Sequence, residues 1–397
     1  MKFYSKAFDK HYETQRIIGE YHGNTEGPVL VFFGGVHGNE SAGVLALQNV
    51  MEEIHQTQPN IKGSIYAIAG NLNALEKNIR FEEEDLNRVW TKERINKLEN
   101  DEFDPSSSNA DVLEQKELFE LGKAIFKKHN KQIYCIDLHT TSGPTVPFIT
   151  LNDTVINRQF ATQFPVPVVV GIEEFLVGPI MNWIMELGYP ALAFEAGEHH
   201  NKDSVKYHEA FAWLSMVYGG LISKEALPQF NAHLNLLTES NADLRKVFEV
   251  WFRKEVKPAD GFKMLPGYSN LQEVQKGEQL AESNQGGITA LESSRIFMPL
   301  YQEKGNDGFF LARELSPSWL RLSEALRKFN IGSVLPILPG ISRDKNDTNT
   351  LILSTASAKM LGVNFLNILG YRIKVKGENT LSVTKRTFDV KSVSELK

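Results

Sequence analysis

Three short stretches carry residue types that could do chemistry together. In VFFGGVHGNESAGV, residues 31–44, an apolar run gives way to paired glycines and then to His37 and Glu40. An imidazole and a carboxylate at that spacing, across a strand-to-helix turn with Glu40 opening the helix, can converge on one cation. Gly34, Gly35 and Gly38 permit the tight path. By itself the pair is weak evidence, since a chain with 10 histidines and 49 acidic residues yields roughly one such pair by chance. A second apolar run, IYCIDLHTTSG, also ends in a histidine, His139. Two histidines and one carboxylate leave a fourth tetrahedral position open, the pattern of a catalytic rather than a structural zinc. Asp137 shares the strand face of His139 and either orients a ligand imidazole as an outer-shell partner or ends the strand.

Hydrolysis by a metal-activated water also needs a carboxylate to move protons. Glu195 in PALAFEAGEHH follows an apolar strand, where a carboxylate is costly without a partner. Glu198, His199 and His200 are close rivals for that role, but HHNKD reads as an exposed turn. The segment NLNALEKNIRFEEEDLNRVW places Arg80, Asn87 and Arg88 after another strand. Guanidinium groups grip carboxylates bidentately and stabilise a developing oxyanion. The EEED run among them reads as a solvated face, with no chemistry assigned to Glu82, Glu83 or Glu84.

The elements that must hold these residues alternate. Over residues 1–228, short β-rich runs and helical patterns succeed one another, as in an α/β domain whose largely parallel sheet is covered on both faces. A polar excursion at 91–110 precedes the next helix. Residues 229–397 read as a smaller β-rich domain, interrupted by a helical pattern in SPSWLRLSEALRKFN and ending in a hairpin over YRIKVKGENTLSVTK. The single cysteine, Cys135, excludes an internal disulfide and any Cys-rich zinc site. Mid-strand in an apolar run, it reads as packing rather than as a nucleophile. With 43 Lys+Arg against 49 Asp+Glu, a formal charge of -6 and no basic block, no nucleic acid or membrane partner is expected, and a small molecule suits the chain better. No signal-like or spanning apolar run of roughly 18 residues is present, so a soluble, cytoplasmic protein is expected.

His37, Glu40, the DLNR of residues 85–88, His139 in DLHTT and Glu195 in FEAG follow the order and context of one family. Over about residues 28–200 the chain resembles the succinylglutamate desuccinylase/aspartoacylase family, within the zinc carboxypeptidase-like hydrolases. The resemblance implies a mixed, largely parallel sheet flanked by helices, with a smaller β-rich C-terminal domain. It implies one Zn2+ per chain on His37, Glu40 and His139, and Glu195 as general base and then general acid. Arg80 would polarise the scissile carbonyl, while Asn87 and Arg88 would hold the substrate's α-carboxylate. Tyr301, in YQEKG, is similar to a tyrosine that reaches the family's pocket. The implied reaction is hydrolysis of an N-acyl amino acid to a carboxylate and an amino acid.

Two departures bear on the substrate. Phe81 stands where aspartoacylase-like members have tyrosine, and GPIMNWIMELGYP lacks the arginine with which aspartoacylases grip a side-chain carboxylate. N-acetylaspartate is therefore not the expected substrate. A zinc carboxypeptidase acting on short peptides and a non-catalytic zinc-binding protein remain as alternatives, and a homo-oligomer stays open.

Overall fold

The apolar run that ends at Gly34 lies deep inside a sheet of eleven strands. The structure is a computed structural model that describes residues 1–386 apart from 105, 107, 130, 131, 242, 243, 303, 304 and 377–379. In chain order the eleven strands are β1 (Ile17–His22), β2 (Thr25–Gly34), β3 (Lys62–Ala69), β4 (Ile133–Thr141), β5 (Phe148–Leu151), β6 (Val168–Val170), β7 (Ala191–Glu198), β8 (Val247–Glu255), β9 (Glu273–Val274), β10 (Ser294–Phe297) and β11 (Asp307–Leu315). Across the sheet they lie in the order β9, β10, β11, β8, β6, β5, β7, β4, β2, β3, β1. β3, β2, β4 and β7 run parallel. β5 then turns antiparallel to β7, β6 and β8 follow β5 in parallel, and β11, β10 and β9 add antiparallel pairings. The sheet is thus mixed, with parallel pairing concentrated in its middle.

The change of texture near residue 228 is not a break in hydrogen bonding, because β8 pairs directly with β6. The rest of the C-terminal half builds a three-stranded sheet and a four-stranded sheet. In the latter, Tyr371–Lys376 and Thr380–Lys385 pair antiparallel as the hairpin pattern suggests; its GEN turn lies outside the described residues. SPSWLRLSEALRKFN forms the helix Pro317–Lys328, capped by the Ser316 hydroxyl, which accepts from Trp319 N–H.

Period-two alternation decides what each central strand shows to either side. Tyr134, Ile136 and Leu138 of β4, with Leu192 and Phe194 of β7, face helices Ala42–Thr57 and Asp203–Tyr218, where Phe194 stacks on Phe211 at 3.9 Å between ring centroids. Burial of such a ring contributes roughly 1.5–3 kcal/mol. Ile133 and Cys135 of β4 and Ala191 of β7 face the other side, against Phe119 and Trp183. Burial pushes the Cys135 thiol well above its ordinary value. Continued by two residues at a time, that second side turns polar at the carboxyl ends of the strands, with Asp137 and His139 on β4 and Glu195 on β7. Asp137 pairs in register with Ala193, and His139 with Glu195.

The loop carrying His37 and Glu40 is held from two directions. The helix after it begins at Ala42 rather than at Glu40; Glu40 N–H instead donates to His37 O at 3.1 Å and closes a turn. Gly38 N–H donates to Arg80 O at 3.2 Å, and a Cβ at Gly38 would fall 2.0 Å from the Ala74 carbonyl carbon. The EEED run is less solvated than its composition suggests. Its backbone wraps the buried Asp111 carboxylate, which accepts from Glu83 N–H at 2.7 Å, Glu84 N–H at 3.0 Å and Asn71 Nδ2 at 2.7 Å. Asp111 thereby anchors the turn between Arg80 and Asp85. The 91–110 excursion contains the helix Lys92–Glu99, and none of its described residues lines the central cavity.

Farther from the cavity, Arg327 is fully buried and donates to Asp153 Oδ2 at 2.8 Å, Asp153 O at 2.8 Å and Ile368 O at 2.9 Å. Burial alone would raise the Asp153 carboxyl, but Arg158, Arg327 and Arg386 hold it well below the usual range. This cluster fastens the four-stranded sheet to the rest of the molecule. Among the described residues, no helix is long and apolar enough to cross a membrane.

Replacing Asp111 with Ala strands two backbone N–H groups and frees the Arg80–Asp85 turn. Unsatisfied buried donors cost about 1–3 kcal/mol each. Asp111→Ala is therefore expected to lower unfolding free energy by about 2–4 kcal/mol, measured by urea denaturation.

Candidate active site

Glu40 sits where the two histidine-bearing strand ends meet. Its Oε1 lies 2.8 Å from His37 Nδ1 and its Oε2 lies 3.0 Å from His139 Nδ1. Thr140 N–H also donates to Oε2, at 2.8 Å. The outward nitrogens of both rings are held by further carboxylates: His37 Nε2 lies 3.1 Å from Asp85 Oδ1, and His139 Nε2 lies 2.6 Å from Asp137 Oδ2. Each carboxylate selects the Nε2–H tautomer and turns Nδ1 inward. One ligand atom from each of His37, Glu40 and His139 comes within 4.8 Å of the others, and all three residues are buried.

The donor set suits a divalent cation. Three carboxylates surround two imidazoles, and burial makes that surplus of negative charge expensive. Burial pushes the Glu40 carboxyl up, but His37 and His139 hold it well below its usual range. Burial pushes His139 down, yet Asp137 and Glu40 hold it well above an ordinary histidine. The cluster thus favours positive charge, which a cation between the two Nδ1 atoms and Glu40 would supply.

Glu195 stands on the strand beside His139, 6% exposed, with Oε2 unpartnered among the described residues. Burial foremost pushes its carboxyl up to about 8, with Glu40 and Asp137 adding and His139 and Arg80 opposing. Arg80 donates to Asp85 Oδ2 from Nε at 3.2 Å, its Nη2 lies 3.1 Å from the same oxygen, and its Nη1 lies 3.7 Å from Glu40 Oε1. Asn87 Oδ1 accepts from Ile180 N–H at 3.0 Å. Its Nδ2 approaches His139 Nε2 at 3.4 Å, which leaves that nitrogen to the shorter contact with Asp137. Arg88 faces the same cavity. The structure places Tyr301 elsewhere: its hydroxyl donates to Leu265 O at 2.8 Å and accepts from Tyr268 N–H at 3.0 Å, and its ring packs on Gly143. It does not line the cavity, whereas Leu300 and Gln302 on either side do.

Four cavity residues escaped the reading of the sequence. Asp85 was visible within DLNR, but nothing local showed that it pairs with both His37 and Arg80. His199, placed in an exposed turn by its neighbours, is 9% exposed, and its Nδ1 shares a hydrogen bond with Thr140 Oγ1 at 2.8 Å. Burial pushes it down to about 4, so the ring is neutral; His200 beside it is exposed. Arg253 and Asp307 come from β8 and β11, with Arg253 Nε donating to Asp307 Oδ1 at 2.6 Å and Arg88 Nη2 to Asp307 Oδ2 at 3.5 Å.

Residues 26–202 match the succinylglutamate desuccinylase/aspartoacylase catalytic domain. Over that span the chain is similar to that family. A succinylglutamate desuccinylase from Pseudomonas fluorescens is 29% identical over 111 residues, 28% of this chain and 30% of that protein. In sequence, then, the chain spans less than a third of the curated relatives it matches. The crystal structure of a succinylglutamate desuccinylase/aspartoacylase from Rhodobacter sphaeroides is similar with a TM-score of 0.54 at 15% identity, over 75% of this chain and 88% of that one. A succinylglutamate desuccinylase from Vibrio cholerae gives 0.53 at 14%, over 74% and 84%. At these identities the likeness is one of fold, and it extends well beyond the matched catalytic domain into the C-terminal half.

The geometry makes metal binding directly measurable. The purified chain is expected to take up one divalent ion, and His139→Ala to lose it. Asp85→Asn, which weakens the hold on His37 Nε2, is expected to lower affinity by about 10–100-fold while the fold is kept. Titration calorimetry with zinc and a far-ultraviolet circular dichroism spectrum of each variant check both points.

Proposed function

We propose that the chain is a zinc-dependent amidohydrolase that cleaves the amide bond of N-acyl amino acids. The observation that carries this reading is the pairing of His139 with Glu195 on adjacent strands, beside the convergence of His37, Glu40 and His139. A ligand set and an unpartnered, proton-accepting carboxylate then share one buried wall. The match of residues 26–202 to a catalytic domain whose named relatives are desuccinylases supports an amide as the bond attacked.

His37, Glu40 and His139 would hold the zinc, with Asp85 and Asp137 fixing the two rings. Zinc bound in this way supplies Lewis acidity, lowering the pKa of a water to about 7 and polarising the amide carbonyl. Glu195 takes the proton from the attacking water. Its elevated carboxyl then returns that proton to the departing amine nitrogen, so one residue serves as base and then as acid. Arg80 offsets the negative charge that develops on the carbonyl oxygen, and Asp85 keeps its guanidinium in place. Asn87 and Arg88 hold the α-carboxylate at the other end of the amino acid. The products are a carboxylate and a free amino acid.

Release of primary amine from N-acetyl, N-succinyl and N-formyl amino acids and from short peptides tests the reading with the zinc-loaded protein. Turnover of an N-acyl amino acid is expected. Glu195→Gln should cut it by about 10²–10⁴-fold with zinc stoichiometry unchanged. Peptide cleavage alone would instead support a carboxypeptidase, and undiminished turnover in Glu195→Gln would remove the carboxylate from the mechanism.

A further inference from the structure

Beyond the residues assigned to the metal, the cavity of about 570 Å³ is lined by both charged and apolar groups. Arg88 and Arg253 both face it, and the Asp307 carboxylate lies 3.5 Å from Arg88 Nη2 and 2.6 Å from Arg253 Nε. Two guanidiniums and one carboxylate leave one unit of positive charge. With Arg80 held by Asp85, that suffices for one substrate carboxylate and leaves a second without a partner.

The apolar part of the lining includes Phe175, Leu176, Met181, Met298, Leu300 and Phe310, the last paired in register with Arg253. The segment 175–177 comes from the catalytic half, and Leu300 and Phe310 reach across from the C-terminal half, where Phe310 meets Phe175 with ring centroids 6.2 Å apart. Val177, at the same wall, is 70% exposed, a cost that an apolar ligand would remove. Met298 is held at φ 48°, a region uncommon for residues with a side chain. Its N–H donates to Asn270 Oδ1 at 2.8 Å, which secures that conformation. Strained backbone kept in a cavity wall points to a shape the site requires.

We propose that the cavity takes an amide bearing one carboxylate and one bulky apolar group, and that Asp307 sets this preference by cancelling the second cation. The proposal rests on the deacylase reading for the position of the scissile bond. The apolar group is either the amino acid's side chain or the acyl chain, and both present the same hydrocarbon surface to this wall. A dicarboxylic acyl group, such as succinyl, would bring a buried charge against it.

Four ligands separate the cases: N-acetylphenylalanine, N-octanoylglycine, N-succinylglutamate and N-acetylaspartate. Binding to the zinc-loaded Glu195→Gln protein is measured by calorimetry, and kcat/KM of the unaltered enzyme by amine release. At least one apolar monocarboxylate is expected to exceed both multiply charged compounds by about 10-fold or more in each measurement, in line with the discrimination apolar pockets achieve. The better of the two apolar ligands tells side chain from acyl chain. Asp307→Asn and, separately, Leu176→Arg should narrow that gap by favouring the multiply charged ligands. Equal or tighter binding of N-succinylglutamate or N-acetylaspartate by the Glu195→Gln protein would overturn the proposal. An apolar preference in binding with no turnover of any compound would overturn the deacylase reading and leave the cavity's selectivity standing.

Discussion

One buried carboxylate, Glu40, shared between two imidazoles is the constraint on which the rest of the structure depends. A charge 2% exposed is tolerable only if its partners are held in place, and much of the central fold does that holding. The turn from His37 to Glu40 points both side chains the same way. Thr140 N–H donates to the same carboxylate from the end of β4. Asp85 and Asp137 then fix the far sides of the rings, and Asp85 reaches its place because its loop is wrapped on Asp111. Each step links a different segment of the chain to one pair of oxygens.

The same arrangement accounts for where the central strands turn polar. Parallel strands buried on both faces are apolar along most of their length, and β4 and β7 keep to that rule until their last turns of alternation. There the face that has carried Ile133 and Cys135 carries Asp137 and His139, and the face that has carried Ala191 carries Glu195. The polar residues stand at the carboxyl ends of parallel strands, where open α/β sheets place their ligands. The mixed half of the sheet then supplies β8 and β11, which close the cavity with Arg253, Asp307 and Phe310.

Much of this was legible in the sequence because it rests on local pattern. Apolar runs marked β2, β4 and β7, period-two spacing put Asp137 and His139 on one face, and the glycines around His37 marked a tight loop; Gly38 proves to lie against the Ala74 backbone. The candidate ligands His37, Glu40 and His139 stood out because each lies at or shortly after the end of a recognisable strand. What could not be read depends on contacts between distant segments. Arg88 and Asp307 are 219 positions apart, and no spacing rule connects them. His199 was misjudged because its polar neighbours suggested solvent, whereas its burial comes from Thr140 on another strand. Tyr301 was weighed as a pocket residue from its local motif, while its hydroxyl is spent on the backbone of Leu265 and Tyr268, in the loop that follows the first strand of the three-stranded sheet.

The central claim is that Glu40 and the inward Nδ1 atoms of His37 and His139 form one cation site. Anomalous diffraction at the zinc edge from crystals of the metal-loaded protein tests it most directly. A single strong peak within coordination distance of both Nδ1 atoms and a Glu40 oxygen is the predicted result, at about 2.0–2.2 Å from each. A peak bound through other residues, or none at full zinc loading, would contradict it.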